Sequence, residues 1–300
     1  MKLKPECIAC QVERVKGECD LVFNEDKDKF LVLREFIAFI LEHLDPSDPN
    51  SPPFFGTERE RIVQRCSGLK DPHEPVKRRN TEVAKDLLPE AYEFYVAAKD
   101  KIEALIRIAA TANSMEYGVK GYSYNEDSFK HEFIRTLHEN LNWDRESVVS
   151  AIKARDKILY VTDNAGEIVF DVLVIRKLIE LGKAVVVSPK RAPVVNDATI
   201  EDLKEAGISA SGEGCRIIPS SATIGISLDE ADEEFLEVFC DERYLVIAKG
   251  MGNYEAISEL EERAALGLKG RLLYILRAKC EPVARSLGVG RGELVARLVT

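Results

Sequence analysis

The chain has 300 residues, of which 45% are hydrophobic and 31% are charged, a composition typical of globular rather than disordered proteins. The 42 basic and 52 acidic side chains leave a formal net charge of −10, which disfavours general binding to nucleic acid or to an anionic membrane. No apolar run reaches the ~20 residues of a membrane span, and the first residues lack the apolar stretch of a signal peptide. We therefore expect a cytoplasmic protein of about two domains, without nucleic-acid or membrane partners. The high Lys, Glu and Arg content suits a thermophile, and the sequence carries no signature of an oligomeric state.

Residues 1–150 have the pattern of one helix after another. The stretch Lys27–Leu44 places apolar residues at helical spacing and ends in a run rich in proline and aspartate. Three further helical patterns follow, at Thr57–Ser67, Arg78–Asn113 and Ser128–Asn142. The second of these is divided near Leu88-Pro89, and one more short helix begins at Asp144 or Ser147. This region predicts a small N-terminal bundle together with helices that pack on a second domain.

Residues 151–300 alternate between strand and helix. Short apolar runs, typical of buried parallel strands, occur at Lys157–Thr162, Lys183–Ser188, Tyr244–Ala248 and Arg271–Ile275, with weaker ones at Ile208–Ala210 and Arg216–Pro219. Helical patterns lie at Ile168–Leu181, Ala198–Glu205, Ala231–Cys240 and Glu281–Leu287. This alternation with short connections predicts a doubly wound α/β domain.

Polar residues and glycines follow four of the predicted segments, at the strand ends where ligands bind in such sheets. They are Asp163-Asn164-Ala165-Gly166-Glu167, Asn196-Asp197, Lys249-Gly250-Met251-Gly252-Asn253 and Lys279. One shared site explains this distribution better than four unrelated loops.

Three of these residues, Asp163, Asn164 and Asp197, offer hard oxygen ligands of the kind that Mg²⁺ and Mn²⁺ prefer. Each also has a simpler interpretation, because Asp and Asn are favoured helix N-caps, and Asn196-Asp197 directly precedes a predicted helix. The four histidines lie in the helical half without an H-E-x-x-H pattern, which favours core or surface positions over metal ligation.

The glycine-rich loop indicates phosphate chemistry. Gly250 and Gly252 allow backbone N–H groups to approach an anion, and Lys249 adds positive charge. We expect Lys279 to neutralise a second phosphate oxygen and Glu167 to be one of the substrate-binding or phosphate-binding residues. A metal with cations around a phosphate is the usual arrangement for phosphoryl transfer. The same glycines are equally compatible with a tight turn, and the chain contains no standard P-loop.

Together these motifs resemble those of the damage-control phosphatases, a metal-dependent family long classed as a domain of unknown function. Two further segments fit the resemblance, Asn113-Ser114-Met115-Glu116-Tyr117-Gly118 and Ala278-Lys279-Cys280-Glu281-Pro282-Val283. The Cys7-Ile8-Ala9-Cys10 start resembles the microbial and archaeal branch of the family. The resemblance spans essentially the whole chain.

The resemblance implies a helical N-terminal region and a three-layer α/β/α domain with a mixed, mostly parallel sheet. It implies a divalent metal (Mn²⁺, Ni²⁺, Co²⁺ or Mg²⁺) held by Asp163, Asn164 and Asp197. Phosphate or substrate contacts are implied for Asn113, Glu116, Lys249, Gly250, Asn253 and Lys279. The chain departs from the family pattern at Met115-Glu116-Tyr117, where Ile-Asp-Phe is usual, and at Ala198, where other branches often have Val.

We therefore expect a metal-dependent phosphatase that acts on phosphate monoesters of small metabolites, such as sugar phosphates or nucleotides. Asp163, Asp197 and Lys249 are the expected catalytic residues, with a water attacking phosphorus in line. Asp163 is either a metal ligand only or a nucleophile that forms an aspartyl phosphate, and we favour the ligand role.

Two other functions remain as alternatives. One is an S-adenosylmethionine-dependent carboxyl methyltransferase, although the loop after the first strand lacks the glycine-rich turn expected there. The other is a non-catalytic sensor of a phosphorylated ligand, which would not need Asp163, Asn164 and Asp197 together.

The pair Cys7 and Cys10 has the spacing of half a zinc site or a redox pair. Cys19 lies nearby in sequence, and Cys66 or Cys280 could join in space. A structural metal, a disulfide and two cysteines simply packed on a first helical turn are all open.

Overall fold

The computed structural model describes residues 1–47, 50–114, 126–208 and 214–300. The helices in these ranges are α1 (Pro5–Val22), α2 (Asp26–His43), α3 (Pro52–Ser67), α4 (Glu74–Ala97), α5 (Lys101–Ala112), α6 (Glu126–Leu137), α7 (Arg145–Ala154), α8 (Ile168–Glu180), α9 (Ile200–Glu205), α10 (Glu233–Cys240), α11 (Gly250–Ile257) and α12 (Glu281–Leu287). The strands are β1 (Leu141–Trp143), β2 (Lys157–Val161), β3 (Ala184–Ser188), β4 (Cys215–Ile217), β5 (Tyr244–Lys249), β6 (Leu272–Arg277) and β7 (Leu294–Leu298). In the described parts of the chain, no helix is both long and apolar enough to cross a bilayer.

The strands form one sheet in the order β1-β7-β6-β5-β2-β3-β4. All neighbouring strands pair in parallel except β6 and β7, which are antiparallel. The chain winds outward from β2 to β3 and β4, then crosses back to place β5 on the other side of β2. Because ligands gather where the winding direction reverses, the crevice between the carboxyl ends of β2 and β5 is the expected binding site. The mostly parallel α/β fold is as expected.

Both faces of the sheet are covered, which explains why its central strands are almost continuously apolar. Along β2, Ile158 and Tyr160 pack into the core beneath α4, α5 and α8. Leu159 and Val161 point to the other face and pack with residues of α10 and α11. The result is three layers, with the sheet in the middle.

Helices α1–α3 form a bundle with its own apolar core, which includes Val15, Phe36 and Phe55. Two hydrogen bonds from α3 tie this bundle to loops of the sheet domain. Gln64 Nε2 donates to Pro193 O at 3.1 Å, and the Thr57 hydroxyl accepts from Ile224 N at 3.0 Å. The bundle therefore supports loops that follow β3 and β4.

The predicted division near Leu88-Pro89 is wrong, because α4 runs through Pro89 to Ala97. Lys85 and Pro89 are exposed, so the carbonyl that proline leaves without a partner can be hydrated. The break falls instead just before α5, where the Asp100 side chain accepts from Glu103 N at 3.1 Å and caps the helix.

The edge of the sheet that includes β1 and β7 was not predicted. The helical pattern assigned to Ser128–Asn142 ends as α6 at Leu137, and three residues of β1 follow. Three residues are too few to show a period, so this strand forms only through its pairing with β7. The sheet thus takes a strand from before residue 151.

Other boundaries also differ. Helix α3 begins at Pro52 rather than Thr57, with prolines in its first turn, a position that proline tolerates. The strand expected at Arg216–Pro219 is β4, shifted to Cys215–Ile217. Of the weak strand at Ile208–Ala210, Ile208 is not in a strand and the other residues lie outside the described ranges.

Candidate metal and phosphate site

The loops after β2 and β5 meet at the predicted crevice. Asn253, on α11, joins them, because its Nδ2 donates to Thr162 O at 2.9 Å and to Lys249 O at 2.7 Å. Gly250 has φ +78°, and a Cβ there would stand 1.9 Å from Asp163 Oδ2. A side chain at position 250 would therefore collide with the Asp163 carboxylate, so glycine is required by both backbone conformation and space.

The loop after β3 lies against the loop after β2. Asn164 and Asp197 form an antiparallel bridge, Ala165 N donates to Asn196 O at 2.9 Å, and Ala198 N donates to Asp163 O at 2.7 Å. The backbone thereby brings Asp163, Asn164 and Asp197 together. The N-cap of α9 is Thr199, whose N–H is bonded to the Asp202 carboxylate at 2.8 Å. Asp197 is therefore not used as a helix cap.

Two amides hold two carboxylates in this site. Asn113 Nδ2 lies 2.9 Å from Asp163 Oδ2 and 2.8 Å from Glu167 Oε1. Asn164 Nδ2 reaches the same two oxygens at 3.0 and 2.6 Å, so a cation bound here would meet Asn164 through its Oδ1. Asn113 Oδ1 accepts from Arg277 N at 2.9 Å, so the end of β6 also fixes the site.

The Lys249 side chain is fully buried, with its Nζ 3.1 Å from Glu167 Oε2 and 3.1 Å from Asp171 Oδ1. Tyr160 donates its hydroxyl to Asp171 Oδ1 at 2.6 Å. Burial opposes the ammonium form, but Asp171, Glu167 and Asp163 outweigh it and raise the pKa of Lys249. Sequence reasoning missed Asp171 and Tyr160, because a carboxylate in a helix and a tyrosine in a strand carry no motif.

Lys190 is a second buried cation that sequence reasoning missed. Its Nζ lies 3.5 Å from Asp197 Oδ2 and donates to Gly225 O. Burial lowers the pKa of Lys190. Lys190 could have been identified from the sequence, because it lies two residues after β3 and the ends of other strands also carry site residues. Lys279 lies at the same end of the sheet, and its charge acts to lower the pKa of Asp163.

The carboxylates carry more negative charge than the buried lysines offset. Burial, followed by the charges of Glu167 and Asp197, raises the pKa of Asp163 well above its usual range. Burial likewise raises the pKa of Asp197 to about 6. A buried carboxylate is ionised at neutral pH only if positive charge is supplied nearby. Two carboxylates and one amide oxygen are hard ligands, so Asp163, Asn164 and Asp197 fit a divalent cation.

Three predicted site residues remain to be placed, namely Glu116, Gly252 and Asn253. Glu116, with Met115 and Tyr117, lies outside the described residues. Gly252 packs against the loop that carries Ile224. Asn253 Oδ1 is buried and without a hydrogen-bond partner in the described part of the chain.

Cys7 and Cys10 lie in the first turns of α1. Cys7 is buried, Cys10 is exposed, and both thiols are free, as are those of the other described cysteines. Cys7 packs in the core of the bundle, and the two cysteines are not joined by a disulfide.

A second polar cluster lies inside the helical bundle, where Glu18, Glu60 and His73 have the ligand types of a metal site. Arg59 already binds Glu18, with Nε 2.9 and 2.8 Å from its two oxygens. His73 Nδ1 lies 3.6 Å from Glu60 Oε2. Burial opposes protonation of His73, but Glu60, Glu18 and Asp71 together raise its pKa. Protonated His73 and Arg59 would balance the two glutamates without a metal.

The chain matches known proteins over its whole length. The family model of the damage-control phosphatase ARMT1-like domain matches residues 3–295. A damage-control phosphatase of Archaeoglobus fulgidus is 31% identical over 299 residues, which cover 100% of both chains. Damage-control phosphatase PH1575 of Pyrococcus horikoshii is 28% identical over 302 residues, covering 98% of this chain and 97% of the relative.

The crystal structure of a DUF89 family protein from Pyrococcus horikoshii matches the fold with a TM-score of 0.83 at 26% identity, covering 100% of both chains. The resemblance drawn from the motifs is confirmed by these matches. They support a phosphatase role with small phosphorylated substrates, and they do not favour the methyltransferase alternative.

Proposed function

The chain belongs to the damage-control phosphatase ARMT1-like family, and from this premise we propose that it is a metal-dependent phosphomonoesterase of small metabolites. Sugar phosphates and nucleotides are the proposed substrate classes. The observation that carries the proposal is the meeting of buried Asp163 and Asp197 with half-buried Asn164 at the switch point of the sheet. A phosphate-binding sensor has no need of such a donor set.

Asp163, Asn164 and Asp197 would hold the divalent ion, which supplies Lewis-acid charge neutralisation at a phosphoryl oxygen. The proposed metal is Mn²⁺, Ni²⁺, Co²⁺ or Mg²⁺. Lys190 contributes a buried positive charge beside Asp197. Helix α11 begins at Gly250. Because the N–H groups at a helix N-terminus attract phosphate, this end of α11 would contribute to phosphate binding.

Glu167 serves as an anchor in this proposal. Its Oε1 accepts from both amides, and its Oε2 accepts from Lys249. A carboxylate engaged in this way holds Asn113 and Asn164 in place. The Lys249 ammonium lies between the Glu167 and Asp171 carboxylates. It therefore orients the site residues by holding Glu167, and it supplies a buried positive charge next to the proposed metal ligands.

Asp163 has the role of a ligand rather than a nucleophile. Two amide N–H groups already bind its Oδ2, and Gly250 abuts the carboxylate. A phosphoenzyme trapped on Asp163 would contradict this assignment.

The test is phosphate release from p-nitrophenyl phosphate and from a panel of sugar phosphates and nucleotides. Metal-stripped protein is assayed with Mg²⁺, Mn²⁺, Co²⁺ or Ni²⁺ added back, beside Asp163→Ala. We expect release that depends on metal and is lost in the variant. Binding of a metal and of inorganic phosphate without turnover of any substrate would instead identify a sensor.

A further inference from the structure

A line of buried ionisable groups runs below the candidate metal site, from Tyr160 on β2 through Asp171 on α8 to Lys249 and Glu167. Tyr160, Asp171 and Lys249 are fully buried, and Glu167 is 1% exposed. The links are 2.6 Å from Tyr160 to Asp171, 3.1 Å from Asp171 to Lys249 and 3.1 Å from Lys249 to Glu167. Glu167 then reaches Asn113 and Asn164.

Fold stability alone does not account for this arrangement. Removing a carboxylate and an ammonium from water has a large desolvation cost, and well-packed apolar side chains often stabilise a protein equally well. The surrounding layer between β2 and α8 is otherwise apolar, with Ile158, Ile168 and Ile175 in the same core. Buried ionisable side chains are expected in such a layer where they hold a charged group in a position that apolar packing cannot define.

The group that needs fixing is the Lys249 ammonium. A lysine side chain is flexible and carries three donors without a fixed plane, so one carboxylate does not define where its Nζ lies. Glu167 and Asp171 bind it from two sides. Tyr160 removes the remaining freedom of Asp171, since its hydroxyl occupies Oδ1, the atom nearest to Lys249.

We infer that Asp171 and Tyr160 are positioning residues that hold Lys249 against Glu167, and through Glu167 set the two amides that orient Asp163. Neither residue touches the proposed substrate. The inference rests on the proposed function for its effect on turnover, whereas its geometric part does not depend on any activity.

A purely structural role makes a different prediction, and the bundle supplies a matched control. Glu18 and Arg59 form another buried carboxylate–cation pair, with an N–O distance of 2.7 Å, in a separate apolar core. Glu18→Gln and Asp171→Asn each neutralise one buried carboxylate while keeping its volume. Both are expected to lower the free energy of unfolding, but only Asp171→Asn should change the site.

The experiment measures the lysine ammonium signals of the full chain by ¹H–¹⁵N NMR, together with kcat and KM for p-nitrophenyl phosphate with Mn²⁺. Lys249→Met identifies the Lys249 signal. In the wild type this signal should be protected from exchange with water. We expect it to shift and broaden in Asp171→Asn, to change less in Tyr160→Phe, and to stay the same in Glu18→Gln.

For turnover, loss of a partner that orients site ligands typically costs about 10–100-fold. We expect kcat to fall by about that factor in Asp171→Asn and by a smaller factor in Tyr160→Phe, which removes the hydrogen bond to the Asp171 carboxylate but keeps its charge beside Lys249. KM should change little in both. Glu18→Gln should keep the wild-type kcat at a temperature where it is folded.

An unchanged Lys249 signal in Asp171→Asn, or a kcat loss equal to that of Glu18→Gln, would overturn the inference. If the wild type releases no phosphate, the proposed function fails. In that case the NMR signal still decides whether Asp171 and Tyr160 hold Lys249, and loss of protection in Asp171→Asn supports the positioning role.

Discussion

Gly250→Ala separates the chemistry of the site from the stability of the fold. The added Cβ would stand 1.9 Å from Asp163 Oδ2 and 2.1 Å from its Cγ. A carbon and an oxygen cannot approach within about 3 Å, so the carboxylate must move by roughly 1 Å or more. Because this carboxylate is the end of a short side chain, it can swing away without unfolding the loop. Misplacement of a catalytic group by about 1 Å costs on the order of 100-fold in rate.

The backbone contributes separately. At φ +78°, alanine costs about 1–2 kcal/mol relative to glycine. Gly288→Ala is the matched control, since Gly288 has φ +71° and a Cβ added there would have no atom within 4 Å. Both variants should lose this backbone contribution in urea unfolding, to which Gly250→Ala adds the displacement of Asp163, but only Gly250→Ala should lose about 100-fold in Mn²⁺-dependent phosphate release. A Gly250→Ala protein with more than half of the wild-type activity would refute the placement of Asp163 in the site.

Three other substitutions test further contacts. Gly166→Ala brings a Cβ to 2.8 Å from Asn80 Cβ, and such overpacking should cost about 1–3 kcal/mol in chemical denaturation; an unchanged midpoint would show that the loop after β2 can move away from α4. The pKa of His73 is raised above its ordinary value of 6.5 by Glu60, so its stabilisation is complete below pH 6.5 and is lost as pH rises through the folded-state pKa. The free energy of unfolding of the wild type should therefore fall as pH rises from acidic to alkaline, and His73→Gln should show a smaller fall. A variant whose pH profile runs parallel to that of the wild type would contradict this prediction. Asp197→Asn should weaken Mn²⁺ binding, measured by electron paramagnetic resonance, by more than the roughly 10-fold that loss of an outer partner costs; an unchanged affinity would remove Asp197 from the ligand set.

The central part of the fold was predictable because its signals are local. Strands β2, β3 and β5 are buried on both faces and appear as unbroken apolar runs, and the helices between them show a clear period. Their carboxyl ends are followed by polar residues and glycines. Because ligands bind at the carboxyl ends of parallel strands, the sequence alone indicated that Asp163, Asp197 and Gly250 share one site.

The parts that sequence reasoning missed depend on long-range partners. Strand β1 exists because β7 lies beside it, and its three residues are too few to show a pattern of their own. Lys190 and Asp171 become site residues only when folding places them opposite Asp197 and Lys249. The N-cap interpretation of Asp197 could be rejected only from the structure, where Thr199 takes that place.

Asp163, Asn164 and Asp197 are proposed to hold a divalent ion on which phosphate release depends. The most direct measurement is a Mn²⁺ titration of metal-stripped protein, with bound Mn²⁺ and phosphate release followed on the same samples. Asp163→Asn is compared with Asp229→Asn, which alters an exposed carboxylate. We predict that release rises with occupancy of one site in the wild type and in Asp229→Asn, and that Asp163→Asn loses both. Full release before Mn²⁺ is bound, or undiminished release from Asp163→Asn, would contradict the claim.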